Sequence, residues 1–205
     1  PIKSSAASDV YKRQVCMRLC SIQDNRFAYR KNVLPTSMHP SQAALIVSLA
    51  KPYLKETAQI MDPFCGVGTL LIERAHLVPA REIYATDTYG DAITMGRENA
   101  AFAKTRINFI HRDFFDFRHD YKFDELITDM PVRNRQTKAE MELFYERFFD
   151  KAAEHLVSGG IIVMYSNEIG FVKKQIRLRV EYRLLQETCI LDKKDFYLFV
   201  IRYED

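Results

Sequence analysis

From Ala58 onward the chain alternates short apolar runs with longer stretches in which apolar residues recur every three or four positions. Runs of the first kind read as strands buried on both faces, and stretches of the second kind as amphipathic helices. Their alternation predicts an α/β fold on a mostly parallel sheet. Gln59-Ile60-Met61 reads as a first strand ending at Asp62, and a helix over 69–77 follows with Leu70, Leu71 and Ala75 on one face. Strands are predicted over 82–86, 107–110, 123–128 and 161–165, interleaved with helices over 91–104, 138–156 and 169–176. Gly159-Gly160 is expected to stop the long helix through a left-handed cap. Two final β-rich stretches, 180–190 and 196–203, have no helix between them and should pair as an antiparallel hairpin. The expected sheet thus has seven strands, mostly parallel, with an antiparallel final pair. Ahead of it, 41–54 is helical in pattern; Pro40 sets the entry of the chain and Ser41 can cap the first turn.

Composition narrows the class without naming a function. With 47% hydrophobic and 28% charged residues the chain can build an ordinary globular core. No apolar run approaches the roughly 20 residues that span a bilayer, and no secretory signal pattern opens the chain. Cys16, Cys20, Cys65 and Cys189 are too scattered for a disulfide framework or a zinc site, which predicts a reduced, cytoplasmic compartment. Residues 1–14 lack apolar periodicity and are expected to be extraneous to the fold, while 15–32 reads as the tail of a larger upstream region. That leaves 33–205 as the domain. The formal net charge is +3, of which Lys3, Lys12 and Arg13 against Asp9 supply +2, so the remainder is near neutral. Global charge therefore carries no nucleic-acid footprint.

The chemistry concentrates at Asp62-Pro63-Phe64-Cys65-Gly66-Val67-Gly68-Thr69, at the end of the first strand and the opening of the first helix. Gly66 and Gly68 permit a sharp turn and close approach of a ligand to backbone N–H groups at a helix N-terminus. A dinucleotide fold would place a third glycine three residues after Gly68, where Leu71 stands. The whole string instead resembles motif I of class I methyltransferases that modify RNA bases. The resemblance runs through residues 33–205 and is best to the THUMP-associated RNA guanine methylase group. It implies a Rossmann-like fold, S-adenosylmethionine as cofactor, no metal, tRNA or rRNA as partner, and an upstream THUMP-type region that grips the RNA. It also implies cofactor contacts from Asp62, Phe64, Cys65, Gly66, Gly68 and Thr69. The segment 36–39, with Ser37 and His39, resembles the one that lies against the methionine end of the cofactor.

Asp87 ends the second strand, where a carboxylate can accept both hydroxyls of a ribose. Asp113 follows the third strand; the resemblance implies that it bonds the adenine amino group while Phe114 flanks the ring. The fourth strand ends in Thr128-Asp129-Met130-Pro131-Val132, similar to the Asn/Asp-Pro-Pro-Tyr/Phe motif of enzymes that methylate exocyclic amines. Such an amine is a poor nucleophile because its lone pair is delocalised into the ring. The Asp129 side chain and the Met130 carbonyl can accept its two hydrogens and turn the lone pair toward the methyl donor, which makes Asp129, Met130 and Pro131 the candidate catalytic residues. Met130 stands where the motif has its first proline and Val132 where it has a stacking aromatic, which keeps an inactive cofactor-binding module as an alternative. A nicotinamide-dependent oxidoreductase is the remaining rival, disfavoured by Leu71 and the antiparallel final pair. Arg133, Arg135 and Lys138 follow the catalytic strand and can hold RNA phosphates. Lys173, Lys174, Arg177 and Arg179 read as a solvated basic face.

Overall fold

A computed structural model describes residues 25–191 and 196–205 of the chain. The expectations for 1–14 and 15–24 lie outside the described residues. One sheet of seven strands runs in the order β3-β2-β1-β4-β5-β7-β6. Its members are β1 (Gln59–Asp62), β2 (Glu82–Asp87), β3 (Asn108–His111), β4 (Phe123–Asp129), β5 (Leu156–Ser166), β6 (Tyr182–Leu191) and β7 (Phe196–Tyr203). The five from β3 to β5 are parallel, and β7 lies antiparallel between β5 and β6. All four residues of β1 are buried, as a central parallel strand covered on both faces requires.

The covering layers follow the apolar periodicity. On one face α1 (Pro40–Ala50), α2 (Thr69–Leu77) and α3 (Gly90–Phe102) bury Ile46, Val47, Leu71 and Ile93 against Ile60, Phe109 and Ile127. On the other, α4 (Lys138–His155) and α5 (Ile169–Leu178) bury Tyr145, Phe148, Phe149 and Val172 against Leu126, Ile162 and Phe199. Arg74 on α2 is fully buried and forks onto Glu125 of β4 at 2.8 and 2.9 Å, pinning helix to sheet. Among the described residues no helix is long and apolar enough to cross a membrane.

Three local results depart from or add to the sequence pattern. The long helix stops at His155, before the glycines, because Leu156 is fully buried and pairs directly with Phe123. Pairing then jumps from Phe123↔Leu156 to Glu125↔Ile161, and Gly159 at φ +78° absorbs the extra residues as a bulge in β5. Gly159 is therefore a strand irregularity, correcting the helix-cap expectation. Next, α3 ends in a paired cap, with Lys104 N–H on the Ala101 carbonyl and Thr105 N–H on that of Ala100. Lys104 takes φ +54° there, a left-handed position that costs a residue with a Cβ about 1–2 kcal/mol. Lastly, residues 25–32 pack on the helices. Tyr29 is buried and donates to Glu73, while Asn99 of α3 accepts the N–H groups of Lys31 and Asn32 at 3.0 and 2.9 Å.

Candidate active site

Because β1, β2 and β4 run parallel, Asp62, Asp87 and Asp129 arrive at the same edge of the sheet. Together with the segment before α1 they surround a cavity of about 610 Å³. Its floor is the turn from β1 into α2. Gly66 and Gly68 both take left-handed φ, +51° and +77°, but for different ends. A Cβ on Gly66 would meet nothing within 4 Å, so this residue leaves room for a ligand over the loop. A Cβ on Gly68 would fall 2.8 Å from the Phe109 ring, so its role is close packing of helix on sheet.

The loop is fixed from below and from the side. Cys65 N–H donates to the Thr86 carbonyl at 3.0 Å, and the Thr86 hydroxyl to that of Pro63 at 2.9 Å. Asp87 accepts Gly66 N–H on one oxygen (2.8 Å) and Tyr89 N–H on the other (2.9 Å). Its carboxylate is thus oriented before any ligand arrives, with a further lone pair free on each oxygen. Burial pushes the Cys65 thiol well up, which keeps it protonated and makes it a packing residue of the loop.

Asp62 is buried, whereas Asp129, like Asp87, is half-buried at the end of its strand. Burial raises Asp62 to about 8, although Phe64 N–H donates to it at 3.0 Å. Burial alone raises Asp129 to about 7. The Thr69 hydroxyl, at the first turn of α2, is buried at the cavity wall with no hydrogen-bond partner among the described residues. Met130 turns its side chain into the core and donates its N–H to the Tyr165 carbonyl at 2.9 Å. The side chain that stands in place of the motif's proline is thus spent on core packing, whereas Val132 stands half-exposed at the lining. A reciprocal cap between Thr137 and Glu140 at the start of α4 ties down the far end of this loop.

The cavity gathers Asp129, Met130 and Pro131 with Asp62, Phe64, Cys65, Gly66, Thr69 and Asp87, and adds Ser37 and Arg133 at the rim. His39, Gly68, Asp113, Phe114, Arg135 and Lys138 do not line it. His39, and not Ser41 as expected, caps α1: its Nδ1 accepts the Ser41 N–H at 3.3 Å and also meets the Ser41 hydroxyl at 2.6 Å. Asp113 caps the short turn Phe114–Asp116 by accepting Phe115 N–H at 2.9 Å. Phe114 is 1% exposed and packs between Phe64 and Phe148, so the more accessible ring of that turn is the half-buried Phe115, over which the Arg147 guanidinium lies at 4.2 Å. Thr36 and Met38 of the segment 36–39 also line the cavity, and Tyr89 does so without having been signalled by the sequence, although it stands two places after the acid that ends β2. The basic residues of α5 are engaged as a solvated face: Lys173 with Glu187, Lys174 with Glu142 and Arg179 with Asp150. Among the described residues no group of His, Cys, Asp or Glu could hold a metal ion.

A sheet of this order, with a glycine turn after β1 and acids at successive strand ends, defines the class I methyltransferase fold. The chain belongs to the RMKL-like methyltransferase domain family (UPF0020), whose model matches residues 28–188. It is 32% identical over 157 residues to the tRNA (guanine(10)-N2)-dimethyltransferase of Methanothermobacter thermautotrophicus, a match covering 73% of this chain and 46% of that protein. The release factor glutamine methyltransferase of Lactococcus lactis is 25% identical over 155 residues, covering 66% of this chain and 56% of the relative. Among solved structures, TrmN from Thermus thermophilus superposes with a TM-score of 0.72 at 22% identity, over 87% of this chain and 52% of TrmN. The N-methyltransferase NodS from Bradyrhizobium japonicum, solved with S-adenosyl-L-homocysteine, gives 0.62 at 12% identity, over 80% of this chain and 87% of NodS. The chain spans about half the length of the curated relatives it matches.

Proposed function

We propose that this domain binds S-adenosylmethionine in the cavity and directs its methyl group to an exocyclic amine of an RNA base, guanine N2 in tRNA before rRNA. The observation that carries the reading is Asp129, a half-buried carboxyl group at the end of β4 that lines the same cavity as Pro131 and the glycine turn. The relative whose name specifies guanine N2 of tRNA supports the choice of acceptor.

The residues present fit the cofactor. Gly66 leaves open space over the turn, the Thr69 hydroxyl is a buried polar atom awaiting a partner, and Asp87 presents free lone pairs suited to ribose hydroxyls. Asp62 supplies negative charge for a ligand carrying a sulfonium and an ammonium. When bound, the cofactor supplies a methyl group already activated by its sulfonium leaving group. Asp129 then does two things. Ionised, it accepts one hydrogen of the target amine and turns the nitrogen lone pair out of conjugation. With its acidity near neutrality, the same oxygen can take up the proton the nitrogen sheds once methylated. The Met130 carbonyl accepts the second hydrogen, and Arg133, whose Nε lies 3.6 Å from Glu168, keeps its other guanidinium donors for a phosphate flanking the base.

The THUMP-type region, for which the greater length of the relatives leaves room, and a cytoplasmic setting belong to the same proposal. Incubation with labelled S-adenosylmethionine and unmodified tRNA, followed by digestion to nucleosides, tests it. Label in N2-methylguanosine is expected. Label confined to adenosine or cytidine would overturn the acceptor, and label on protein glutamine would move the domain to another substrate class.

A further inference from the structure

We propose that a second, basic cleft at the opposite end of the sheet is a sugar-phosphate contact site for the RNA substrate. The proposal rests on the RNA reading above but concerns a different surface. The cleft measures about 420 Å³ and lies where α2 ends, β2 begins and α3 turns into β3. Arg81, Lys104 and Arg106 line it against a single acid, Glu82. Glu82 is already engaged by the Tyr84 hydroxyl at 2.7 Å.

The cations of the cleft differ from those of α5. There, Lys173, Lys174 and Arg179 each have a carboxylate. Among the described residues neither Lys104 nor Arg106 makes a side-chain hydrogen bond or ion pair, and Arg81 gives one nitrogen to Gln59 at 2.8 Å. The C-terminal ends of α2 and α3 point here, and each contributes about half a negative charge, which with Glu82 still leaves the cleft positive.

Lys104 adds an independent sign. It occupies the left-handed position of the α3 cap, at φ +54°, where glycine is the unstrained choice. A strained backbone carrying a long cation into a cleft is an outlier from which a function can be inferred. The lining also indicates which part of RNA would bind. It holds no Phe, Tyr or Trp to stack a base, its one imidazole, His76, is engaged by the Ala103 carbonyl at 3.1 Å and the Tyr29 ring, and Thr105 and Asn108 stand beside the cations. That is the donor set for phosphate and sugar, not for base readout. The six residues of β2 separate cleft from catalytic mouth by about 17 Å, so a folded RNA that reaches Asp129 can also lay its backbone here.

The test measures binding of an unmodified tRNA transcript to the full chain as salt is raised, alongside calorimetric binding of S-adenosylhomocysteine. Each phosphate contact removed should lower the log–log salt slope by about one. From 50 to 200 mM salt, wild type should therefore lose about three to four times more affinity than Lys104→Gly, and about tenfold more than Lys104→Gly/Arg106→Ala. Lys104→Gly should at the same time melt higher, since it relieves the positive φ, so weaker RNA binding cannot be blamed on unfolding. Lys173→Ala/Lys174→Ala, which removes paired cations, should leave the slope unchanged. An unchanged slope in the cleft variants, an equal fall in the α5 variant, or no tRNA binding by wild type would overturn the proposal. Loss of slope as predicted in a protein that binds no S-adenosylhomocysteine would keep the cleft and remove the methyltransferase reading instead.

Discussion

Gly96 sits in the middle of α3, where alanine should by helix propensity be about 1 kcal/mol better. The structure predicts the opposite. A Cβ at Gly96 would fall 2.6 Å from Cε1 of Phe109 and 3.0 Å from Cζ. The ring cannot retreat, because Gly68 presses on it from the neighbouring helix, where a Cβ would also come within 2.8 Å. Phe109 is 6% exposed and closed in by both glycines, so the clash must be relieved by moving backbone. Overpacking of this kind costs about 1–3 kcal/mol, and at its upper end, less the propensity gain, leaves Gly96→Ala about 1–2 kcal/mol less stable. In a domain of this size that is a fall in Tm of about 2–8 °C. Any displacement of Phe109 also pushes on Gly68 and the cofactor turn, so S-adenosylhomocysteine affinity should fall with stability. Thermal melts of Gly96→Ala, Phe109→Leu and the double variant measure the coupling, and the smaller side chain should make the alanine better tolerated than it is in wild type. A Gly96→Ala protein that melts at or above wild type would refute the wedge.

Asp87→Ala should weaken S-adenosylhomocysteine binding by about tenfold to a hundredfold, since it removes a charged acceptor and frees the Gly66 N–H it steadies; unchanged affinity in a folded variant would refute its role. Asp62 and Asp129 are raised to about 8 and about 7, so the folded protein keeps protons that the unfolded chain has lost, and the stability of the ligand-free domain should fall as pH rises from about 4 through those values. S-adenosylmethionine carries a positive sulfur that favours an ionised Asp62, whereas S-adenosylhomocysteine does not. Calorimetry from about pH 6 to about pH 9 should show the methyl donor gaining affinity relative to the product, and parallel profiles would contradict this.

Much of the site was legible because its residues lie at strand ends, where spacing along the chain converts directly into position in space. Asp62, Asp87 and Asp129 needed only the parallel alternation to be placed on one edge. What escaped the sequence depended on contacts between distant segments. The end of α4 looked like a glycine cap, but pairing of Leu156 with Phe123 decided it. Phe114 looked like the ring beside a ligand, but Phe148 of α4 draws it into the core and leaves Phe115 the more accessible ring. The packing of residues 25–32 rests on Tyr29 and Glu73, which are 44 positions apart. Lys104 could not be told from an ordinary surface lysine until its φ was known.

The central claim is that Asp129 acts on the target amine, not on the cofactor. Single-turnover methyl transfer from labelled S-adenosylmethionine to unmodified tRNA, compared between wild type, Asp129→Asn and Asp129→Ala, tests it most directly. Loss of one transition-state hydrogen-bond acceptor should slow Asp129→Ala by about a hundredfold or more. Asp129→Asn should retain more activity, because its amide oxygen still accepts a hydrogen. Affinity for S-adenosylhomocysteine should stay within about twofold in both, as expected for a group whose contribution arises in the transition state. Equal rates for wild type and Asp129→Ala, or a loss of rate matched by a loss of cofactor affinity, would contradict the account.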